Sequence, residues 1–357
     1  MKKLFALVML FVATSLQAQE SIDKLSWPHV ALKMSESWYA TEQAAEVAQK
    51  VLSYQTEKGG WPKNQKFHSK VDEEYMREVK ESGIGATIDN EATTTEMRFF
   101  ANMYKATKNK EYKAAFLKGL DYLFEAQYDN GGWPQFYPDR SSTHYSRCIT
   151  YNDGAYVNVM NLLADIYNED ESFAALKLSK KSKRAAKESF DKGIDCILKT
   201  QIVVNGELTV WCAQHDQNTL APAAARAYEL ASFSGGESAD IVELLMSLPS
   251  PSPEIVASIK GAVKWFEQSK IADRKRVVFI ADNGEKDSRL EYCEGHNLWA
   301  RFYDIETNEP FFCDRDGVKK ATLEEIGQER RGGYAWYRTE PNAILKAYPK
   351  WLKDNNL

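Results

Sequence analysis

The sequence contains no long apolar run, no basic tract and no cluster of cysteines or histidines. The apolar stretch near its N-terminus, residues 4–12, is too short to cross a bilayer, which takes ~20 residues. A net charge of −5 without a block of Lys or Arg argues against nucleic acid as a partner. The five cysteines form no C-x-x-C pair, so a zinc site is not predicted.

The N-terminus has the layout of a secretory signal. Lys2 and Lys3 precede the apolar stretch, and small and polar residues follow it up to Gln19. Residues 1–19 are therefore predicted to be a signal peptide, and the mature protein to be soluble and exported, either periplasmic or secreted. In that oxidising compartment the cysteines at 148, 196, 212, 293 and 313 permit up to two disulfides and leave one thiol.

Two phrases of the sequence recur at long, regular spacing. Residues 55–62, with the pattern Gln-x-x-x-Gly-Gly-Trp-Pro, return at 127–134. The phrase at 118–127 recurs at 192–201, after an almost equal interval, and a weaker copy begins at Lys260. Self-similarity at such a period is typical of architectures built from repeated supersecondary units.

Each repeat unit is predicted to consist of two helices joined by a long loop. Apolar residues recur at helical spacing, which predicts amphipathic helices. The stripes are Met97, Phe100, Ala101 and Tyr104; Phe116, Leu120, Leu123 and Phe124; and Tyr156, Met160, Leu163 and Tyr167. Strand signals are confined to the loops, at 203–211 and 276–281. Helix pairs repeated in this way stack into a solenoid or close into an α/α toroid, and residues 20–357 are predicted to form one such domain.

Asp and Asn residues lie where the second, inner helix of each pair is predicted to begin. Residues 87–92 and 150–155 open two inner helices. Asp216 follows Asp153 at the same interval by which Asp153 follows Asn90, and it precedes a helix predicted to carry Arg226. Asp and Asn are preferred N-caps, which is one explanation. Two adjacent Asp or Asn residues at both earlier starts exceed what a cap needs, and oxygen-only ligands favour an open calcium site.

Several separate motifs now point to a known family. They are Gly-Gly-Trp-Pro at 59–62 and 131–134, Ile-Asp-Asn-Glu-Ala-Thr at 88–93, Tyr-Asn-Asp-Gly-Ala at 151–155, Trp-Cys-Ala-Gln-His-Asp at 211–216, Ala-Ala-Ala-Arg at 223–226, Arg-Phe-Tyr-Asp at 301–304, Phe-Phe-Cys-Asp-Arg-Asp-Gly at 311–317 and Gly-Tyr-Ala-Trp-Tyr at 333–337. In this order, from about residue 40 to the C-terminus, they resemble the pectate lyases of the tenth polysaccharide lyase family.

The resemblance implies a fold, an activity and a metal. The fold is a mainly α, incomplete α/α toroid of repeated helical hairpins, with long irregular loops and a few short strands. The activity is cleavage of α-1,4-linked polygalacturonate by calcium-assisted β-elimination, which gives 4,5-unsaturated oligogalacturonides. Asp89, Asn90 and Asp153 are implied to form the Ca²⁺ neighbourhood, completed by a substrate carboxylate. Acidic neighbours such as Glu91 and Asp216 could exchange roles with them.

The resemblance also implies the residues that handle the sugar. Arg226 resembles the proposed base that removes the C5 proton. Arg301 and Arg315 resemble the arginines that bind uronate carboxylates, and Asn152 and Tyr337 are expected to assist them. The expected partner is an acidic polysaccharide, polygalacturonate or pectin, bound by a monomer that does not insert into membranes.

Two features of this interpretation leave alternatives open. Arginine is normally charged, and a charged Arg226 cannot act as the base. In that case water or hydroxide removes the C5 proton, and Arg226 stabilises the negative charge that develops. A glycoside hydrolase that uses Asp89 and Asp153 as its two carboxylates is the competing enzyme, and a non-catalytic polysaccharide-binding protein is the third alternative. His68 and His215 lack a partner constellation and are expected to be structural.

Overall fold

The computed structural model describes residues 22–69, 73–75, 77, 85–138 and 144–357. The signal peptide predicted at 1–19 lies outside these ranges. No helix in the described ranges is long and apolar enough to cross a membrane. All five cysteines lie within them and are free thiols, so neither of the two disulfides that an oxidising compartment would permit is present.

Helices dominate the secondary structure, as the apolar periodicity predicts. About 49% of the residues that the structure describes are helical. The α-helices are α1 Trp27–Leu32, α2 Glu42–Tyr54, α3 Thr94–Thr107, α4 Lys110–Ala126, α5 Ala155–Tyr167, α6 Glu171–Ala174, α7 Lys180–Thr200, α8 Gly235–Met246, α9 Pro253–Ser269, α10 Gln328–Gly333 and α11 Pro341–Asp354. The predicted stripes lie on α3, α4 and α5, which confirms those three helices.

The strands of the described chain are short and pair two at a time, always antiparallel. They are β1 Ile149–Thr150, β2 Val203–Val204, β3 Glu207–Leu208, β4 Gln214–His215, β5 Phe233–Ser234, β6 Arg274–Ile280, β7 Lys286–Tyr292, β8 Trp299–Ala300, β9 Phe302–Tyr303, β10 Phe312–Cys313, β11 Lys319–Lys320 and β12 Tyr337–Arg338. The pairs are β1 with β4, β2 with β3, β5 with β9, β6 with β7, β8 with β12 and β10 with β11. Strands therefore form in both loop regions where the sequence predicted them.

The chain divides into two compact units, each with its own packing. The first comprises Met1–Gln127, Phe136–Arg140 and Leu162–Ser189, and the second comprises Tyr128–Gln135, Ser141–Asn161 and Phe190–Leu357. In the first unit α3 packs against α1, α2 and α4. In the second unit α8 packs against α9 and α11, and an aromatic core gathers Tyr228, Phe302, Phe311, Phe312, Cys313, Leu323, Ile326 and Trp336. A single domain over 20–357 stays a prediction.

The repeated glutamine ties successive outer helices together. Gln55, Gln127 and Gln201 follow the last residues of α2, α4 and α7. Each donates a hydrogen bond from Nε2 to a backbone carbonyl of the next outer helix, in α4, α7 and α9, at 2.9, 2.9 and 3.0 Å. Because one amide satisfies a carbonyl of the neighbouring helix in each repeat, the recurrence of glutamine has a direct structural cause.

The repeated tryptophan joins the outer helix of a pair to the start of the inner helix. Four fully buried tryptophans hold this position: Trp61, Trp133, Trp211 and Trp299. The indole N–H of the first, third and fourth donates to a carbonyl of the preceding outer helix at 2.8–2.9 Å. The carbonyls of the first three accept from the N–H groups of Thr87, Thr150 and Ser234 at 3.0, 3.1 and 2.8 Å. The loops are therefore scaffolds that fix where each inner helix begins.

Glycine occupies the position two residues before the tryptophan because no other residue fits the turn. Gly59 and Gly131 have φ of +109° and +93°, in the region that favours glycine. A Cβ atom at Gly59 would lie 2.2 Å from the carbonyl oxygen of Lys118, and one at Gly131 would lie 2.0 Å from that of Lys192. The close approach of two backbones explains the first glycine of both Gly-Gly-Trp-Pro loops.

The third inner helix does not begin where the sequence predicted it. The helix expected after Asp216 to carry Arg226 is absent from this described segment, and α8 begins instead at Gly235. Asp216 Oδ1 accepts the N–H groups of Asn218 and Thr219 at 2.9 and 2.7 Å, which closes a turn. The N–H of Ala223 donates to Gln214 at 3.0 Å. The prediction was wrong because Ala223 and Ala225 donate their N–H groups to Gln214 and Glu229 rather than to helical partners four residues earlier.

Candidate active site

A short turn precedes α3 in the first unit, and we name Asp89–Glu91 the first Asx turn. Asn90 adopts left-handed backbone angles, with φ +50° and ψ +46°, a conformation that Asn tolerates better than most residues. Asp89 is buried and forms an ion pair with Lys63. Asn90 is exposed, and its Nδ2 donates to Asn64 Oδ1 at 2.9 Å. The turn thus presents a buried carboxylate and an exposed amide.

A cavity of about 350 Å³ opens beside this turn. Asn64, Asn90 and Glu91 line it together with Trp27 and Glu96. Glu96 Oε1 accepts a hydrogen bond from the indole of Trp27 at 2.6 Å, and burial raises the pKa of Glu96 to about 7. Amide, carboxyl and aromatic groups are the kinds of side chain that contact sugars.

The second Asx turn, Asn152–Gly154, precedes α5 in the second unit and has almost the same backbone. Asp153 occupies the left-handed position, with φ +49° and ψ +34°. Here the first residue, Asn152, is buried, and the side chain of Asp153 is 38% exposed. Asn152 Nδ2 donates to Asp153 Oδ2 at 2.8 Å. The structure therefore confirms that the two sequence segments are equivalent, although acid and amide have exchanged places.

Arg301 donates hydrogen bonds to both Asx side chains of the second Asx turn. Its Nη2 donates to Asn152 Oδ1 at 2.9 Å, to Asp153 Oδ1 at 3.1 Å and to Glu237 Oε1 at 3.1 Å. Arg301 is 4% exposed. Burial by itself would raise the pKa of Glu237, but the charges of Arg301 and Arg338 outweigh it and hold that pKa below its usual value. Three predicted site residues, Asn152, Asp153 and Arg301, are thus brought into direct contact.

Glu237 is a residue that sequence reasoning missed. It lies in the first turn of α8, where the sequence had assigned the third acidic position to Asp216. A signal was present, since Glu237 follows Trp211 at nearly the same interval by which Asp89 follows Trp61. In the first three repeats the carbonyl of the tryptophan accepts an N–H group a few residues before the inner helix begins.

Arg226 lies in an irregular segment and is held by a buried carboxylate. Its Nε donates to Glu229 Oε2 at 2.8 Å, and its Nη2 pairs with the other oxygen. Tyr334 donates its hydroxyl to Glu229 Oε1 at 2.6 Å. The hydrogen bond to Glu229 is the main reason that the pKa of Arg226 is raised above its usual value. About half of the Arg226 side chain is exposed.

Two tyrosine rings gather four arginines, which we name the arginine–tyrosine cluster. The rings belong to Tyr228 and Tyr334, and the arginines are Arg226, Arg301, Arg315 and Arg330. Around Tyr228, Cζ–centroid distances are 4.9 Å for Arg226, 5.9 Å for Arg315 and 4.0 Å for Arg330. Around Tyr334 they are 5.9 Å for Arg226, 4.8 Å for Arg301 and 4.6 Å for Arg330. The three predicted arginines therefore belong to one cluster, and Arg330 is an addition.

The predicted arginines differ in access. Arg315 is exposed and pairs with the exposed Glu329 at 2.9 Å, whereas Arg301 is buried. Tyr337 is half-buried on β12, opposite Ala300 of β8. Its ring packs against Phe312 at 5.6 Å, which gives it a packing role in this structure. Its predicted contact with substrate stays a prediction.

His215 has the structural surroundings expected of it. It is fully buried, accepts from the N–H of Cys212 at Nε2 at 3.1 Å and donates from Nδ1 to the carbonyl of Leu220 at 2.9 Å. Burial lowers its pKa to about 4, so the ring is neutral. Both of its nitrogens form hydrogen bonds with backbone groups of the loop.

The donor atoms of the two Asx turns suit a hard cation. In the described part of the chain no three His, Cys, Asp or Glu side chains form a ready metal-binding group. Each turn offers one carboxylate and one carboxamide, which are oxygen ligands of the kind that calcium prefers. Each carboxylate also has a cationic partner inside the protein, Lys63 for Asp89 and Arg301 for Asp153. The residue types of each turn are therefore ones that calcium can bind.

Comparison with known proteins identifies the family of this chain. The profile of the family described as pectic acid lyase matches residues 55–345. The solved structure of a family 10 polysaccharide lyase from Cellvibrio cellulosa is 35% identical, with a TM-score of 0.76, over 88% of this chain and 94% of that one. An aspartate-to-alanine mutant of a family 10 lyase from the same organism, in complex with trigalacturonic acid, is 34% identical with a TM-score of 0.76, over 88% and 95%. None of the curated proteins matches significantly.

The helical repeats and the arginine-rich site thus define a polysaccharide lyase. The chain belongs to the pectic acid lyase family, the tenth family of polysaccharide lyases. Members of this family have the α/α toroid fold, which confirms the predicted fold class. The hydrolase and the non-catalytic alternatives are thereby set aside.

Proposed function

We propose that this lyase cleaves α-1,4-linked polygalacturonate by calcium-assisted β-elimination and releases 4,5-unsaturated oligogalacturonides. The observation that carries the proposal is the arginine–tyrosine cluster, in which guanidinium groups concentrate positive charge beside the carboxylate of Asp153 through Arg301. The trigalacturonic acid bound to the similar mutant lyase supports an acidic polysaccharide as substrate. Export to the periplasm or medium and a monomeric state are further parts of the proposal.

Recognition of the substrate is assigned to the arginines and their neighbours. Arginine binds a carboxylate through two parallel N–H groups, and this geometry favours uronates over neutral sugars. Arg315 is exposed and its pair with Glu329 is exposed too, so exchange of Glu329 for a uronate costs little. Arg301 would exchange one of its three acceptors for the substrate and keep the others. Asn152 and Tyr337 complete the proposed contacts.

The chemistry requires removal of the C5 proton, which lies α to a carboxylate. The electron pair of the C5–H bond forms the C4–C5 double bond, and the C4–O bond to the neighbouring sugar breaks. The leaving oxygen takes the electron pair of that bond and gains a proton from solvent to become a hydroxyl group. Calcium held by Asp89, Asn90 and Asp153 would supply positive charge that neutralises the substrate carboxylate. The arginines stabilise the same developing charge through preorganised hydrogen-bond donors.

Arg226 is the proposed base at C5, and its surroundings set a condition for that role. While Glu229 holds the guanidinium, the pKa of Arg226 stays raised and the group is protonated. Proton abstraction therefore requires the pair to open, with nearby positive charge and alkaline pH favouring the neutral guanidine. If the pair stays closed during turnover, Arg226 stabilises charge and a water molecule or hydroxide takes the proton.

The test of the function follows the product. Polygalacturonate should generate ultraviolet absorbance from the unsaturated uronide, and an excess of chelator should abolish it. Highly methyl-esterified pectin should react slowly, because esterification removes the charge that the arginines bind. Full turnover in chelator would refute the role of calcium, and equal rates on both polymers would refute recognition of the carboxylate.

A further inference from the structure

A lysine from another segment of the chain pairs with the first Asx turn. Lys63 Nζ forms an ion pair with Asp89 Oδ2, and the Asp89 side chain is 3% exposed while that of Lys63 is 28% exposed. The ammonium also lies 5.5 Å from the ring centroid of Phe136. The pair is thus largely shielded from water on the aspartate side.

The position of Lys63 is set by the repeat. Lys63 follows the buried Trp61 by two residues, just as Arg301 follows the buried Trp299 by two. The equivalent positions after Trp133 and Trp211 hold Gln135 and an alanine, which are uncharged. Two of the four loops therefore place a cation at this position, and each cation pairs with acid at the start of an inner helix.

A lysine and a calcium ion cannot both stay close to one carboxylate without repelling each other. A buried carboxylate is costly unless it is paired, and in this structure Lys63 supplies the opposite charge beside Asp89. Calcium that binds Oδ2 of Asp89 must displace the ammonium towards the solvent that it already partly contacts.

We propose that Lys63 is an internal counter-ion that competes with Ca²⁺ for Asp89 and thereby sets the calcium affinity of the substrate-free protein. The inference rests on the assignment of Asp89 to calcium in the proposed function. It predicts that calcium binding is weak until the ammonium has moved, and that Lys63 is a positioning residue rather than a ligand.

The test is a calorimetric titration of the full-length mature protein with CaCl₂ alone, together with the calcium-induced shift of its melting temperature. Lys63→Met and Lys63→Gln should bind calcium about tenfold more tightly than wild type, an effect between those of exposed and buried ion pairs. Lys63→Arg keeps the charge and should stay within about twofold. Lys58→Met is the matched control in the same unit, because its pair with Glu125 is exposed at both ends, and it should bind as wild type does.

The outcomes separate this inference from the function on which it rests. Unchanged or weaker calcium binding in both neutral Lys63 variants overturns the counter-ion, provided that Asp89→Asn abolishes the wild-type binding. Wild-type affinity in Asp89→Asn, or no binding by wild type with trigalacturonic acid present, overturns the calcium assignment itself and the inference with it. Circular dichroism on each variant checks that the fold is retained, and Lys63→Gln preserves a hydrogen-bond donor if the methionine variant fails to fold.

Discussion

The first and second Asx turns have the same backbone and the opposite placement of acid and amide. In the first, the buried residue is Asp89 and the exposed residue is Asn90; in the second, Asn152 is buried and Asp153 is partly exposed. Both left-handed residues have φ near +50°. The repeat therefore reproduces geometry, while a single exchange of Asp and Asn decides whether a carboxylate is shielded or open to a ligand.

The cationic side chains that pair with the two turns, Lys63 and Arg301, also differ. Lys63 provides one flexible point charge to Asp89 and stays in partial contact with solvent. Arg301 is buried and divides its donors among Asn152, Asp153 and Glu237. A planar guanidinium with several acceptors is harder to displace than an ammonium with a shielded carboxylate beside it. The carboxylate of the first turn thus depends on a single ammonium, whereas the second turn shares a guanidinium with Glu237.

The largest effect is expected from removal of the open carboxylate. Asp153→Ala should lower turnover of polygalacturonate by at least ~10²-fold, because an oxygen donor and the partner of Arg301 are both lost. The helical circular dichroism should be unchanged. Asp216→Ala is the control, since Asp216 closes a turn in the same unit; its rate should remain near wild type. Activity in Asp153→Ala close to that of the control would contradict the difference between the two carboxylates.

The second prediction tests whether Arg226, which pairs with Glu229 outside both Asx turns, performs the proton transfer. Arg226→Ala should lose ~10²-fold or more in rate, the lower end of general-base contributions, with substrate binding largely kept. Arg226→Lys should recover little, because the ammonium has a different reach and no fork. If Arg226 is the base, wild-type activity rises into the alkaline range as the neutral guanidine becomes populated. A large loss with no change in the shape of the pH profile would favour charge stabilisation instead.

Arg301 and Arg315 should separate stability from recognition. Arg301→Ala leaves Glu237 buried with reduced compensation and should lower the free energy of unfolding by about 3 kcal/mol. Arg315→Ala removes an exposed pair with Glu329 and should not change stability measurably. Urea denaturation measures the stability of both variants, and the Michaelis constant for polygalacturonate measures the loss of recognition in Arg315→Ala. Equal destabilisation by both would contradict the buried role of Arg301.

A smaller, pH-dependent effect is expected at Asp240. Its Oδ2 would lie 3.6 Å from a Cβ placed on Gly154 in the second Asx turn. Burial, and then the charge of Glu237, raise its pKa from 3.8 to about 7. The other charges that act on it are Arg338, which lowers the pKa, and Glu340 and Glu243, which raise it.

The raised pKa of Asp240 determines whether the free energy of unfolding rises or falls with pH. The folded state holds the proton more tightly, so this stabilisation is complete below the unfolded pKa of 3.8 and is lost as pH rises through about 7. Between pH 5 and pH 8 wild type should therefore lose roughly 1–2 kcal/mol more than Asp240→Asn, after allowance for solvent screening. Urea denaturation at both values measures the difference, and parallel losses would show that Asp240 titrates normally.

Much of the fold could be predicted from the sequence because it depends on residues that are close together in the chain. The glycine before each of the first two repeated tryptophans is needed for a left-handed turn against a neighbouring backbone. The apolar stripes of α3, α4 and α5 recur at helical spacing, and Asp and Asn favour the left-handed turns found at Asn90 and Asp153. The wrong helix at Arg226 arose where alanines satisfied the local preference but Gln214 took the backbone donor of Ala223.

The sequence by itself determined the repeated units, the turns that join them and the residue types placed at each inner-helix start. Only the tertiary structure decided that Arg301 meets Glu237, that Arg330 joins the predicted arginines and that Lys63 shields Asp89. The physical reason is the distance along the chain over which each property is determined. Backbone conformation depends on residues a few positions away, whereas burial and charge pairing depend on residues brought together by packing, which the spacing of one chain does not specify.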